Sequence, residues 1–389
     1  MTAADGMDET VLARVRAAAE RIAPLADEIE RGRRLPPAAV GALVEAGVFK
    51  LAVPRALGGG EADLPTLLAT FELLARADGS AGWTAMIGAA SGLMSIFLDE
   101  DTARHVYGPA DAVSCGVFAP LGRATRVAGG GLRVSGRWPF ASGCEHSQWR
   151  MGGVLVFDGE QPEMLPGTSI PHVRCVLFSA VESEIIDTWD VTGLRGSGSH
   201  DIAVRDVTVP AERCFSFLMD KPRAPEAPLY RLPFFGVLAS GVAAVALGIA
   251  RAAIDQLIAL AGKKLVPGSR RTIAQRELVQ LDVARADARV RAARAFLFAA
   301  VAEAGQRPAS DVQARAQLRL AACHAASEAA AAVDAMYNAG GGAVVYATQP
   351  LQRHFRDVHV ATQHAMVSPQ VLTTVGRVLL GLETDVTTL

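Results

Sequence analysis

The chain has 389 residues, half of them hydrophobic and a fifth charged, with a formal net charge of −2. That length exceeds one ordinary core and suits two or three modules, while the near-neutral balance argues against nucleic acid as a partner. Five widely spaced cysteines (Cys115, Cys144, Cys175, Cys214 and Cys323) form no CxxC pair and no cysteine–histidine cluster, which speaks against a disulfide frame or a zinc site.

The opening MTAADGMDET is polar and acidic, unlike a signal peptide, so a cytoplasmic location is expected. From residue 8 to about 108, apolar residues recur at three- and four-residue spacing and predict helices. ETVLARVRAAAERIAPLADEIERGRR reads as one helix kinked at Pro24; PPAAVGALVEAGVFK is a short one, opened by prolines and closed by Gly47. LPTLLATFELLARADGSAGWTAMIGAASGLMSIF supplies two more, broken near Asp78-Gly79-Ser80, with Ser80 or Asp78 as N-cap. Between 111 and about 215 the pattern changes to VSCGVFAP, ATRVAGGGLRVSGRWPFAS, WRMGGVLVF, VRCVLFSAV and HDIAVRDVTVP. These short segments, rich in β-branched and aromatic residues and divided by Gly, Pro and Asp turns, predict a compact antiparallel β-domain.

SFLMDKPRAPEAP (216–228) is a proline-bearing linker, after which long helices return at 233–262, 270–304, 308–339 and about 368–382. The most apolar run, FFGVLASGVAAVALGIARAAI, approaches the length of a membrane span. Its density of Ala and Gly, and its lead into Arg251 and Asp255, mark a buried bundle helix instead, and no membrane partner is expected. The expected division is an N-terminal helical domain at 1–110, a β-barrel domain at 111–220 and a C-terminal helical bundle at 221–389. The GGG runs at 58–60 and 129–131 lack GxGxxG spacing between a strand and a helix, which rejects a dinucleotide-binding loop.

Helices, then a β-barrel, then a four-helix bundle is an unusual order. Together with GLRGSGSHDIAVRDVTVP (193–210) and GGGAVVYATQPLQRHFRDVHV (340–360), it resembles the acyl-CoA dehydrogenase superfamily over essentially the whole chain. The first stretch is similar to that superfamily's closing β-strands, the second to the glycine turn and helix that meet its flavin. Dehydrogenases of this kind need a carboxylate base, usually a glutamate in Tyr-Glu-Gly-Thr after an Arg-Asp pair. Here Arg356-Asp357 is followed by VHVATQHAMVS, with no acid. The bundle helix that carries the base in a minority, LPFFGVLASGVAAVALGIA, has none either, and the loop Thr-Glu-x-x-x-Gly-Ser-Asp is replaced by GVFAPLGRATRV. GVFAPLG (116–122), SGRWPFASGCEHSQW (135–149), QPLQRHFRDVH (349–359) and Gln363-His364 are instead similar to the two-component flavin monooxygenases of this fold.

That resemblance implies an oxygenase component that receives reduced FMN or FAD, with FMN ahead, from a separate NAD(P)H:flavin reductase. With dioxygen as co-substrate it would hydroxylate an aromatic or polycyclic small molecule through a flavin C4a-hydroperoxide, as a homotetramer and without a metal. Ser142 would face flavin N5 or O4; read alone, it is equally a turn serine before Gly143. His364 would donate to the peroxide or shuttle a proton near neutral pH, although a lone histidine is often structural. Gln363 would bond the ring edge or fix the imidazole tautomer.

Trp83 would cover the flavin or substrate, or else fill a helical seam. Val117, Phe118, Ala119, Phe140 and Ala141 would lie against the flavin, with strand alternation keeping Phe118 opposed to Val117 and Ala119. Gly341 and Gly342 would admit the flavin backbone-close, and Arg271 would reach a neighbouring subunit's flavin phosphate; helix-ending glycines and a surface charge are the bland alternatives. His200 reads as structural, and so does His146, although His146 is the better placed to line a substrate pocket. Two rival functions remain: an acyl-CoA dehydrogenase-like flavoenzyme with a displaced base, and a non-catalytic flavin-binding protein.

Overall fold

A computed structural model describes residues 6–217, 219–223, 227–266 and 268–389. The first five residues of the acidic opening, and residues 218 and 224–226 of the expected linker, lie outside the described residues. Helix α1 (Glu9–Ile22) starts at Asp8, whose carboxylate accepts from the Thr10 and Val11 N–H groups. At Pro24 the chain tightens into a 3-10 turn before α2 (Ala26–Gly32), the expected kink. Helix α3 (Pro37–Glu45) is followed by Gly47 at φ +73°. Helices α4 (Leu64–Ala77) and α5 (Gly79–Ser91) meet at Asp78, which caps α5 by accepting from Ala81 N–H at 2.9 Å. A further helix, α6 (Glu100–Tyr107), escapes the sequence reading because eight residues barely repeat an apolar spacing.

The strands are β1 (Ser114–Arg126), β2 (Leu132–Trp138), β3 (Trp149–Asp158), β4 (Gln161–Pro162), β5 (Val173–Ser179), β6 (Glu184–Ile186), β7 (Asp201–Val209) and β8 (Cys214–Phe215). They form one sheet in the order β6-β7-β2-β1-β3-β5-β8, with β4 on β3. The expectation of a wholly antiparallel domain needs one correction: β1 and β3 pair in parallel, so the sheet is mixed. The physical reason is the crossover 139–148, which carries the chain from β2 past β1 to the far edge of β1. That crossover holds the candidate residues Phe140, Ala141 and Ser142.

After the strands come α7 (Phe234–Ala261), α8 (Glu277–Ala304), α9 (Val312–Gly340), α10 (Pro350–Ala361) and α11 (Pro369–Leu379). Helices expected from 270 and 308 begin later, at Glu277 and Val312, the second where Asp311 accepts from two N–H groups as N-cap. By length and composition α7 could cross a membrane, yet it packs against α4, α9 and α10 with 89% of its most apolar window buried. Its alanines and glycines let those neighbours approach closely. All five cysteines are free and buried, and burial pushes the thiols up, Cys115 and Cys214 to about 11 and Cys175 to about 12.

Candidate functional site

Two separate stretches of chain meet at Ser142, and a third anchors the second of them. From α5, the Trp83 indole N–H donates to Ser142 Oγ at 3.0 Å. From the turn before β7, Ser199 Oγ lies 2.7 Å from Ser142 Oγ, and Ser197 Oγ lies 2.7 Å from Ser199 Oγ. The Ser197 hydroxyl donates to the Leu194 carbonyl at 2.8 Å, and the Trp189 indole donates to the same oxygen at 3.0 Å. From α10, Asp357 Oδ1 accepts from Leu194 N–H at 2.6 Å. Ser142, Ser197, Ser199 and Asp357 are all buried.

Asp357 also abuts the start of α5, since a Cβ at Gly79 would stand 2.9 Å from its Oδ2. Burial pushes the Asp357 carboxyl up to about 7, and the nearby Asp78 carboxylate adds to that push. Burial likewise lifts Asp78 to about 6, against the Ala81 N–H bond that favours its charge.

His364 follows α10, and its ring meets the Trp83 ring edge-on with centroids 5.5 Å apart. Its Nδ1 accepts from Met366 N–H at 3.3 Å, which leaves the proton on Nε2. Burial, helped by the positive Arg319, pulls its pKa down to about 4. At pH 7 the ring is thus held as a neutral Nε2–H donor. Gln363 is exposed, and the Met366 peptide rather than Gln363 fixes the tautomer. Arg319 donates to Met366 O at 3.0 Å and so holds the turn that presents the ring.

The β1 segment is irregular where the sequence expected simple alternation. Val117 pairs with Gly152 but Pro120 with Gly153, so Phe118 and Ala119 have no partner in the β3 register. Gly153 is needed there, because a Cβ would sit 2.2 Å from the Phe118 carbonyl oxygen. Val117 packs in the apolar cluster that includes Ala141 and Cys144, while Ala119 is exposed. The Phe118 ring turns to Phe217 and Phe234, at centroid distances of 5.1 and 5.6 Å. Phe140 adopts φ +67° and is 67% exposed, its ring edge-on to Trp189.

A buried hydroxyl, backbone free of its ladder, an exposed phenyl ring and a neutral imidazole N–H fit the edge and face of a flat heteroaromatic ring such as a flavin. No cluster of metal-ligating side chains occurs among the described residues.

Gly341, Gly342 and Arg271 lie elsewhere. Gly341, at φ +57° and ψ −157°, ends α9 in a conformation open to glycine alone. Lys264 Nζ donates to Gly340 O at 2.7 Å, tying the glycines to the small turn in which Leu265 bridges Thr272 beside the exposed Arg271. Among the described residues no hydrogen bond joins this end to Ser142 or His364.

His200 is structural as expected, its Nδ1 accepting from the Thr188 and Trp189 N–H groups at 3.2 Å. His146 Nε2 and Thr84 Oγ1 are buried without a hydrogen-bond partner among the described residues, and a Cβ at Gly143 would stand 3.0 Å from His146 Nε2 and 3.2 Å from Thr84 Cγ2. Burial pulls the His146 pKa down to about 4. Sequence reasoning missed Ser197, Ser199, Asp357, Arg319 and Thr84. The alternation Gly-Ser-Gly-Ser at 196–199 was the available signal: it places two hydroxyls two residues apart on a turn, not a strand.

The family model described as acyl-CoA dehydrogenase, N-terminal domain, matches residues 8–100, and the C-terminal domain model matches 240–369. An indole-3-acetate monooxygenase of Pseudomonas putida is 32% identical, over 91% of this chain and 89% of its own. The oxygenase component of an FADH2-dependent resorcinol hydroxylase from Rhizobium sp. is 30% identical, over 96% of this chain and 94% of its own. The solved structure of XiaF from Streptomyces sp. in complex with FADH2 and glycerol superposes with a TM-score of 0.90 at 26% identity, covering 98% of this chain and 97% of that one. The chain belongs to the acyl-CoA dehydrogenase superfamily and, within it, to the flavin-dependent monooxygenases.

Proposed function

We propose that the protein is the oxygenase component of a two-component system that hydroxylates an aromatic or polycyclic small molecule with dioxygen. The observation that carries this reading is the Trp83–Ser142–His364 cluster, which offers hydroxyl, indole and neutral imidazole where a dehydrogenase needs a free carboxylate. The nearby buried acids are already engaged, Asp78 with Ala81 N–H and Asp357 with Leu194 N–H. Reduced flavin, when bound, supplies the electrons that activate dioxygen. Ser142 and the backbone of Val117 to Ala119 hold the ring, Phe140, Ala141 and Gln363 border it, and His364 Nε2–H donates toward the reacting oxygen. Trp83 orients Ser142 and keeps water from its hydroxyl.

Reduced FAD is the preferred flavin in this reading, ahead of the FMN favoured by the sequence, because one relative is named FADH2-dependent and another was solved in complex with FADH2. A separate reductase delivers it. Gly341, Gly342 and Arg271 receive the phosphate end, with Arg271 reaching the flavin of a neighbouring copy in a homotetramer. The exposed Leu372, Leu379 and Leu380 on and after α11 support such self-association. The test is oxygen uptake by the pure protein. Uptake that requires externally reduced flavin, with a hydroxylated aromatic product, is expected; dye reduction by acyl-CoAs would return the chain to the dehydrogenases.

A further inference from the structure

The direction of each hydrogen bond in the serine chain can be deduced from its far end. At Leu194 the acceptor is a carbonyl oxygen, which has no proton to give, so the 2.8 Å contact requires the Ser197 proton. With that proton committed, Ser197 can only accept from Ser199 across their 2.7 Å contact. Ser199 has then given its proton, and the 2.7 Å contact with Ser142 requires the proton of Ser142. Reversing any step would set two oxygen lone pairs against each other at hydrogen-bond distance.

Trp83 N–H occupies one lone pair of Ser142. One valence of Ser142 Oγ remains, and it is a lone pair. Ser142 can accept one more hydrogen bond and has none to donate.

We propose that Ser197 and Ser199 are positioning residues that lock Ser142 as an acceptor and thereby make the site select reduced over oxidised flavin. The inference rests on the functional reading above, in which Ser142 meets the flavin ring. Nitrogen N5 of reduced flavin carries a hydrogen, whereas N5 of oxidised flavin carries a lone pair, and oxygen O4 accepts in both states. A locked acceptor therefore complements only the N5–H of the reduced form, and faces the oxidised form lone pair to lone pair. The anchor is firm: besides the Ser197 hydroxyl, the Leu194 carbonyl accepts from the Ser197 N–H and the Trp189 indole, both at 3.0 Å, and the Leu194 N–H is held by Asp357.

The test is the ratio of dissociation constants for oxidised and reduced flavin, measured anaerobically by titration with FAD and with FMN. The unmodified protein should bind the reduced form more tightly. Ser199→Ala frees the Ser142 proton to turn toward oxidised N5, so the ratio should fall about threefold to tenfold, the worth of one hydrogen bond. Ser197→Ala, which unties Ser199 from Leu194, should lower it in the same direction. Trp83→Phe removes a donor to Ser142 but leaves the chain's direction intact, so it should weaken both forms of flavin alike and leave their ratio unmoved.

An unchanged ratio in both serine variants would overturn the proposal, as would an equal fall in Trp83→Phe, which would point to packing instead. If the unmodified protein binds neither form of flavin, the functional reading fails along with it.

Discussion

Around Ser142 the polar atoms form a closed, buried chain drawn from α5, the β2–β3 crossover, the turn before β7 and α10. Around Gly341, Gly342 and Arg271 the side chains and backbone face outward, and a Cβ on Gly342 would meet nothing within 4 Å. One end of the proposed flavin site is thus finished within a single chain, and the other is left open for a ligand or a second copy to complete. On the proposed assignment, chemistry belongs to the closed end, where low polarity strengthens each hydrogen bond, and affinity to the open end, where charge would attract phosphate.

The largest effect that would sharpen the contrast is a pH effect at the closed end. Asp357 holds its proton up to about pH 7 in the folded chain, whereas an unfolded carboxyl releases it near 4. Between those values folding binds a proton, so this residue's contribution to stability declines as pH rises through the window and is constant above it. Asp357→Asn keeps an oxygen for Leu194 N–H and removes the buried charge. Its stability relative to the unmodified protein should rise from pH 4 to 7, by on the order of 2–4 kcal/mol, in paired urea titrations. Pairing matters because His146, His354 and His364, all pulled down to about 4 by burial, give the whole protein an opposite slope in the same range. A flat difference would show that Asp357 is ionised throughout, with Arg356 offsetting its burial.

An intermediate effect is expected at the open end. Gly341→Ala should destabilise by roughly 1–3 kcal/mol, because a side chain is strained at its backbone angles. Gly342→Ala should stay within about 0.5 kcal/mol. Equal behaviour of the two in thermal melts would mean that the turn relaxes freely, and the division between a rigid end and an open one would lose its footing.

The smallest effect on the reaction belongs to Ser142→Ala, which removes the proposed hydrogen bond to the flavin, worth roughly 0.5–1.5 kcal/mol, along with those to Trp83 and Ser199. The share of consumed oxygen released as hydrogen peroxide should increase a few-fold while reduced flavin still binds. An unchanged share would take Ser142 out of the chemistry.

The sequence was most legible where a local rule decides the outcome. Pro24, Gly47 and the capping Asp78 act on their own neighbours, and each does as its residue type requires. The closed end was only half legible, because its bonds join residues 59, 57 and 163 positions apart. Ser142, His364 and Trp83 were singled out, but not that Trp83 touches both of the others. The neutrality of His364 was hidden for the same reason, since its pKa is set by burial and by Arg319 from α9. The parallel β1–β3 pairing was hidden because strand propensity carries no direction.

The five buried thiols bear on how such a protein wears out. A protein that brings reduced flavin to oxygen generates an oxidant within itself whenever substrate fails to capture it. Peroxide attacks the thiolate, and burial keeps these sulfurs protonated and out of reach. Oxidative ageing should therefore fall first on thioethers, at Met164 and Met219, residues that stand 45% and 44% exposed on the surface.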